Sequence, residues 1–194
     1  MIASNLATTP PVANLNLVRP MPSGVLIGTL IGTCFALGWA IAGLQGLPSR
    51  WRAIVFAIAL LVSALIGAAV LWRFRSAHSV AASGSFDGAI YGWAVTLESL
   101  AIVIAVVALR RSALSDYIMP TVAVIVGAHF FALARAMAFG GGRVFVWIGS
   151  LMCMSAASIL SARALSFLSL PQTIALTGFS CAIILWASAL WTLI

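Results

Sequence analysis

The sequence predicts an all-α membrane protein with six transmembrane helices. Of its 194 residues, 63% are hydrophobic and only 7% are charged, whereas a soluble domain has about 25% charged residues. The apolar residues fall into six runs of about 20, the length that an α-helix needs to cross a bilayer. A soluble fold of this size could not bury so much apolar surface, and within lipid a helix satisfies all of its backbone groups.

The predicted spans follow the apolar runs in order. They are residues 24–43, 53–72, 88–109, 119–138, 144–162 and 172–193. Arginine, proline, glycine and serine mark the breaks between them, as is typical of connections. Residues 1–22 lack a basic region followed by an uninterrupted apolar core. We therefore predict a mobile polar tail there, and not a signal peptide, ahead of a single membrane domain over residues 23–194.

The charge and cysteine pattern narrows the possible partners. The formal charge is +7 and all ten cations are arginine, but they are scattered along the chain, which favours lipid headgroups over nucleic acid as the partner. Cys34, Cys153 and Cys181 lie in the middle of apolar runs, where neither a disulfide framework nor a zinc site is expected. We predict no cofactor and no metal.

The arginines do not decide the orientation of the spans. One membrane face holds Arg19, Arg73, Arg75, Arg135 and Arg143, and the other holds Arg50, Arg52, Arg110, Arg111 and Arg163. This even division gives no excess on either side, so the positive-inside rule does not choose between the two orientations. A protein of dual topology would show the same balance, and so would chance. Of the two orientations, we predict the one with both termini in the cytoplasm.

Small residues four apart indicate where helices can approach closely. Gly28 and Gly32 form such a pair in span one, and Gly88 and Gly92 form another in span three. Because lipid removes most of the hydrophobic drive for helix association, close backbone contact takes its place. These pairs predict tight packing within the bundle or a homodimer interface.

Spans one and four share a sequence pattern. "CFALGWAIAG" at 34–43 and "FFALARAMAF" at 130–139 align without a gap and have Phe, Ala, Leu, Ala and Ala in common. A repeat of three spans would place the second copy upside down relative to the first, as in many transporters. A 3+3 inverted repeat is therefore one hypothesis, and a chance match of alanine-rich helices is the other.

Glu98 and His129 are the ionisable residues nearest to the middle of the predicted membrane. Each has about ten residues of its span on either side, so both are expected at a similar depth. A charged side chain there costs about 2.5–3.5 kcal/mol on insertion scales. One interpretation is a pair that shares a proton and lines a pathway. The other is a structural pair that locks spans three and four together.

The shared depth of Glu98 and His129 also predicts how close the two side chains lie. Spans three and four are joined by a short connection and should pack antiparallel as neighbours. We therefore expect the side chains of Glu98 and His129 to turn inward and to lie within about 6 Å of each other. Arg135 lies about 9 Å further along span four. It is predicted to anchor the helix end at the interface, with an ion pair to Glu98 or a contact to an anionic solute as alternatives.

The segment "VGAHFFALARAM" carries a resemblance to a known family. A glycine, one further residue, a histidine and two bulky apolar residues lie mid-span, here Gly127, His129, Phe130 and Phe131. This resembles an uncharacterised family of small six-span bacterial membrane proteins with a mid-span Gly-x-His motif. The resemblance implies a similar fold in a bacterial inner membrane and brings no assigned activity.

These observations lead to two functional hypotheses. The first is a small-solute permease or channel-like transporter in which Glu98 and His129 are gating or proton-coupling groups. The second is an accessory or scaffold subunit in which the same pair is only structural. The chain has no Gly-x-Ser-x-Gly, no His-Glu-x-x-His and no paired aspartates, so we do not expect an enzyme.

Overall fold

Six α-helices make up the structure, a computed structural model that describes residues 23–76, 87–136 and 142–194. They are α1 (Ser23–Leu44), α2 (Ser49–Ser76), α3 (Gly88–Arg111), α4 (Ile118–Ala136), α5 (Gly142–Ala164) and α6 (Leu170–Leu193). All six are long and apolar enough to cross a membrane. The predicted all-α, six-span fold class is confirmed, and the chain has the architecture of a multi-pass membrane protein. The predicted tail at 1–22 lies outside the described residues.

Several helices extend beyond the apolar runs that predicted them. The clearest case is α2, which runs from Ser49 to Ser76, whereas hydropathy placed the span at 53–72. Arg52 lies in the first turn of α2, and its guanidinium donates to the backbone oxygens of Leu47 and Gln45, at 2.9 and 3.3 Å. The backbone therefore stays helical into the interface, where a cation can bond the free carbonyls that follow α1.

The helices form two tight pairs with two outer helices. α1 packs closely on α6 and α4 packs closely on α5, and α6 joins the pairs through its contacts with α5 and α4. α2 lies against α1 and α6. α3 packs mainly on α4, with a smaller contact to the 3-10 turn Ser115–Tyr117 that precedes α4. The central core contains side chains from four helices: Ala36, Ala123, Ile148, Met152, Ala156, Cys181 and Leu185.

Glycines permit the closest helix contacts. A Cβ built on Gly178 would lie 2.5 Å from the Cα of Gly43, so α6 and α1 meet backbone to backbone there. A Cβ built on Gly127 would lie 2.7 Å from the Sγ of Cys153, which fixes the approach of α4 to α5. Close contact of this kind gives the dispersion energy that holds helices together in lipid.

The glycine pairs singled out in the sequence are not the ones at these contacts. A Cβ added to Gly28, Gly32 or Gly92 would meet no atom of the described chain within 4 Å, and Gly88 is exposed. Spacing shows that a helix face is flat enough for close approach, but it does not show which face has a neighbour. Within the described bundle these faces are open, and the homodimer interface stays a prediction.

The helix contacts follow the proposed inverted repeat in part. Exchanging the two halves maps the α1–α2 contact onto α4–α5, and α1–α6 onto α3–α4, and all four contacts exist. The contact between α5 and α6 has no comparable counterpart between α2 and α3. The second sequence segment also runs past Ala136, beyond the described residues. The repeat stays a prediction.

Candidate functional site: Glu98 and His129 between α3 and α4

α3 contacts the rest of the bundle through a single stripe of partly buried residues. Its more buried residues recur at a spacing of three and four: Ala94, Val95, Glu98, Ala101, Ile102, Ala105, Val106 and Leu109. This spacing places them on one helix face, which packs on α4. Leu97, Leu100 and Val103 lie between them and are exposed. Glu98 is therefore a carboxylate within the otherwise apolar stripe through which α3 contacts the rest of the bundle.

His129 occupies the face of α4 that looks away from α5. Gly127 faces α5, against Gly149 and Cys153. Two residues further along a helix correspond to a rotation of about 200°, so His129 projects to nearly the opposite side. The Gly-x-His spacing thus gives α4 two faces, a flat one for α5 and a polar one for α3.

The two side chains meet between the helices. Nδ1 of His129 lies 3.3 Å from Oε2 of Glu98, and the side chains are 9% and 18% exposed, respectively. Both residues are well inside their helices, far from the connections. The predicted proximity within about 6 Å is confirmed. The predicted antiparallel packing is also confirmed, because the backbone N–H of Asp87 before α3 donates to the oxygen of Ala136 at the end of α4.

The contact is close but is not a hydrogen bond. Nδ1 of His129 is buried and has no hydrogen-bond partner among the described residues, although Oε2 of Glu98 is 3.3 Å away. A neutral imidazole has one N–H donor and one bare nitrogen acceptor. If the proton is on Nε2, two acceptors face each other. If the proton is on Nδ1 instead, the imidazole presents a donor to the carboxylate.

Aromatic packing holds the imidazole on its other side. Phe130 meets His129 edge to face, with ring centroids 6.2 Å apart. Phe130 in turn stacks on Phe145 of α5, at 6.1 Å and an interplanar angle of 17°. Stacked and edge-to-face pairs of this kind fix ring positions. The position of His129 is therefore coupled to α5 through one intervening ring.

Arg135 lies apart from the pair. It is exposed in the last turn of α4, six residues and about 9 Å beyond His129 along the helix. In the described part of the chain, Glu98 forms its ion pair with His129 and not with Arg135. This location suits an interfacial anchor, and the contact of Arg135 with an anionic solute stays a prediction.

One polar contact was missed from the sequence. Arg163 at the end of α5 forms an ion pair with Asp116 in the 3-10 turn before α4. It also donates to the backbone oxygen of Leu168, at 2.7 Å. Counting spans places the α3–α4 and α5–α6 connections on the same membrane face. An acid in one connection and a base in the other could therefore have predicted this ion pair.

Neither a metal-binding cluster in the described residues nor a known relative identifies the chemistry of the site. In the described ranges, no group of three or more His, Cys, Asp and Glu residues is placed to hold a metal ion. Comparisons of the chain with protein-family models, with curated proteins and with solved structures found no match. The resemblance carried by Gly127 and His129 stays a prediction.

Proposed function

We propose that this chain is a small-solute permease or channel-like transporter that takes up and releases one proton at Glu98 and His129. The observation that supports the proposal is the contact of a carboxylate with an imidazole at 3.3 Å, deep in two helices that can span a membrane. Ionisable groups within spans are costly, and they mark ion and proton pathways in membrane proteins.

The net charge of the pair explains why one proton matters here. With one proton shared between Glu98 and His129, the pair is neutral overall, either as acid and imidazole or as carboxylate and imidazolium. Removing that proton leaves a net charge of −1 in a medium of low dielectric constant, and adding a second gives +1. Both are expensive compared with the neutral state. Passage of a solute can be coupled to this change of charge.

The packing of α3 supports a gating role for the pair. α3 packs chiefly on α4, whereas α1, α4, α5 and α6 form the interlocked core. A change of charge at Glu98 therefore acts on the interface by which α3 is held. We propose that α3 shifts relative to α4 when the pair changes its protonation state.

Proton movement in proteoliposomes that enclose a pH-sensitive dye tests this proposal. Concentration jumps of sugars, amino acids, organic acids and amines are applied at several values between about pH 5 and pH 8. The wild-type protein should give a solute-driven proton flux that depends on pH, and Glu98→Gln should remove that dependence. Ser99→Ala is the matched control, because Ser99 is exposed and bonds its own helix at the oxygen of Val95. An unchanged pH profile in Glu98→Gln contradicts the proposal.

A scaffold or accessory subunit is the second candidate. The observation that favours it is that the pair lies at the main interface of α3, where a structural clamp would be needed. In that case Glu98→Gln lowers the stability of the protein, while none of the solute classes drives a proton flux in the wild-type protein. The proton flux and the thermal unfolding of the two proteins therefore separate the candidates.

The location, orientation and oligomeric state of the protein are also proposals. We place the protein in a bacterial inner membrane, with both termini in the cytoplasm and as a homodimer through the open face of Gly28 and Gly32. What supports the dimer is that neither glycine has a neighbour within 4 Å of an added Cβ. Gly32→Leu should then dissociate the dimer in a mass measurement on detergent-solubilised protein. Single cysteines introduced at Leu47 or Arg75 and labelled from outside test the orientation.

A further inference from the structure

We infer that the solute bound at Glu98 and His129 is a protonated amine with an apolar body, which exchanges with the proton at this pair. The inference rests on the proposed function and names its substrate class. It combines three observations: the isolated carboxylate, the unpartnered imidazole nitrogen and the apolar surroundings of the pair.

The charge of the site favours a cation as the ligand. Glu98 is the acidic residue inside the described spans, while Asp87 and Asp116 lie at helix ends. After loss of its proton the pair carries −1, and the described chain brings no arginine within ion-pair distance of Glu98. A cation at the site balances that charge. A neutral solute leaves it unbalanced, and an anion adds to it.

The hydrogen-bond pattern calls for a donor. The side chain of His129 is 9% exposed, and its Nδ1 has no partner among the described residues although a carboxylate oxygen is 3.3 Å away. With the imidazole proton on Nε2, Nδ1 and the carboxylate oxygen are two acceptors side by side, 3.3 Å apart. A buried acceptor without a donor is costly. An ammonium group has N–H donors for both acceptors and also supplies the positive charge.

An organic cation fits this site better than a metal ion. Hard cations such as calcium take about six to eight oxygen ligands, and the described residues bring no cluster of three metal-binding side chains together. The nearest hydroxyls on α3, those of Thr96 and Ser99, are exposed and donate to the oxygens of Gly92 and Val95. Neighbouring positions are apolar or aromatic, among them Phe130. The ligand body should therefore be apolar.

Among the described residues of α3, α4 and the 3-10 turn, no other titratable group is close enough to replace the pair in the exchange. On α4 the other charged residue is Arg135, in the last turn of the helix, and the 3-10 turn contributes Asp116 and Tyr117. Asp116 is 13 residues before His129, about 20 Å along the axis. On α3 itself, Tyr91 is seven residues and about 10 Å from Glu98. The exchange is therefore assigned to Glu98 and His129: an ammonium ion enters and one proton leaves.

Binding of four ligands of similar shape tests the inference. Purified protein in nanodiscs is titrated with 2-phenylethylammonium, and in parallel with 2-phenylethanol, 3-phenylpropionate and the N-trimethyl analogue of the amine. We expect the amine to bind at least tenfold more tightly than each of the others. Comparable binding of the alcohol or the carboxylate overturns the inference, because charge would not be recognised. Comparable binding of the trimethyl analogue overturns the role of the N–H donors.

Proton release tests the exchange without any substitution. In weakly buffered solution, binding of the amine to the protonated site should release up to one proton per protein. Its apparent affinity should then fall about tenfold for each unit of pH below the titration of the pair, by linkage. Binding without proton release at every pH overturns the inference, as does the absence of amine binding.

Two variants locate the exchange at the pair. Glu98→Gln should lose both amine binding and proton release, whereas Ser99→Ala should keep both. If Glu98→Gln binds the amine as tightly as the wild-type protein, the site lies elsewhere and the inference is wrong. A pH-dependent proton flux driven by another solute class, with no amine binding, would contradict the inference while leaving the proposed function intact.

Discussion

Oε2 of Glu98 lies 3.3 Å from Nδ1 of His129, and the two atoms come from helices that run in opposite directions through the membrane. Alone, either residue would be a costly group within a span. Together they need only one proton to be neutral. The pair also lies at the main interface of α3, so its protonation and the packing of α3 are physically linked.

The coupling between the two residues can be measured directly. We expect a double-mutant cycle of Glu98→Gln and His129→Gln to give a coupling energy of about 0.6 kcal/mol, the average for polar pairs in a membrane protein, and at most about 1.7 kcal/mol. The measurement is reversible unfolding in mixed micelles. The corresponding cycle of Ser99→Ala with His129→Gln should give a value near zero. Equal coupling in both cycles would mean that the Glu98–His129 contact contributes nothing specific.

Close glycine contacts predict large differences between alanine substitutions. Gly178→Ala places a Cβ 2.5 Å from the Cα and N of Gly43, and overpacking against backbone costs about 1–3 kcal/mol or more. Gly67→Ala is the matched control, since an added Cβ there meets nothing within 4 Å. We expect a lower thermal midpoint for Gly178→Ala and an unchanged or higher one for Gly67→Ala. Equal midpoints would show that α1 and α6 are not in backbone contact.

The ion pair between Asp116 and Arg163 predicts that substitutions of the two residues lower the stability of the protein by different amounts. Arg163 bonds both Asp116 and the oxygen of Leu168, so Arg163→Gln removes two contacts. Asp116→Asn removes one charge but keeps an acceptor, and the pair is partly exposed. We expect Asp116→Asn to cost at most about 1 kcal/mol and Arg163→Gln to cost more. Thermal unfolding gives the order, and the reverse order would contradict this role of Arg163.

Two helix ends use left-handed residues that are not glycine. Ala113, after α3, has φ 55° and Ser166, after α5, has φ 62°. The bonds from Leu114 N to Leu109 O and from Phe167 N to Ala162 O, both 2.9 Å, complete these C-terminal turns.

Glycine is therefore expected to be tolerated at these ends. The left-handed conformation costs about 1–2 kcal/mol for other residues, whereas glycine costs about 0.4–1 kcal/mol through the unfolded state. Ala113→Gly should raise the thermal midpoint or leave it unchanged. Ala108→Gly, within α3, should lower stability by about 1 kcal/mol. A similar loss in both variants would rule out the left-handed turn.

The spans and the pair were accessible from the sequence for a physical reason. Insertion in lipid is governed by hydropathy and length, so six long apolar runs determine six helices. Polar groups inside such runs must avoid lipid, which leaves a neighbouring span as the place where Glu98 and His129 can meet. Depth and connectivity alone therefore predicted a contact that the structure contains.

The arrangement of helices was not accessible in the same way. Lipid-facing and buried faces are both apolar, so hydropathy does not distinguish the exposed Leu97 of α3 from the buried Ala94. For the same reason, the spacing of Gly28 and Gly32 is as good as that of any packed pair, yet the close contact of α1 falls at Gly43. The outer position of α3 depends on which faces match in shape, and hydropathy does not encode shape.

The most direct test of the central claim is an infrared titration of the Glu98 carboxyl group in reconstituted protein. The account predicts that difference spectra across the physiological pH range contain a protonated-carboxyl stretch that is lost in Glu98→Gln, kept in Ser99→Ala and shifted in position in His129→Gln. A spectrum in which Glu98→Gln leaves every pH-dependent carboxyl band unchanged would contradict it, because Glu98 would then neither take up nor release a proton in this range.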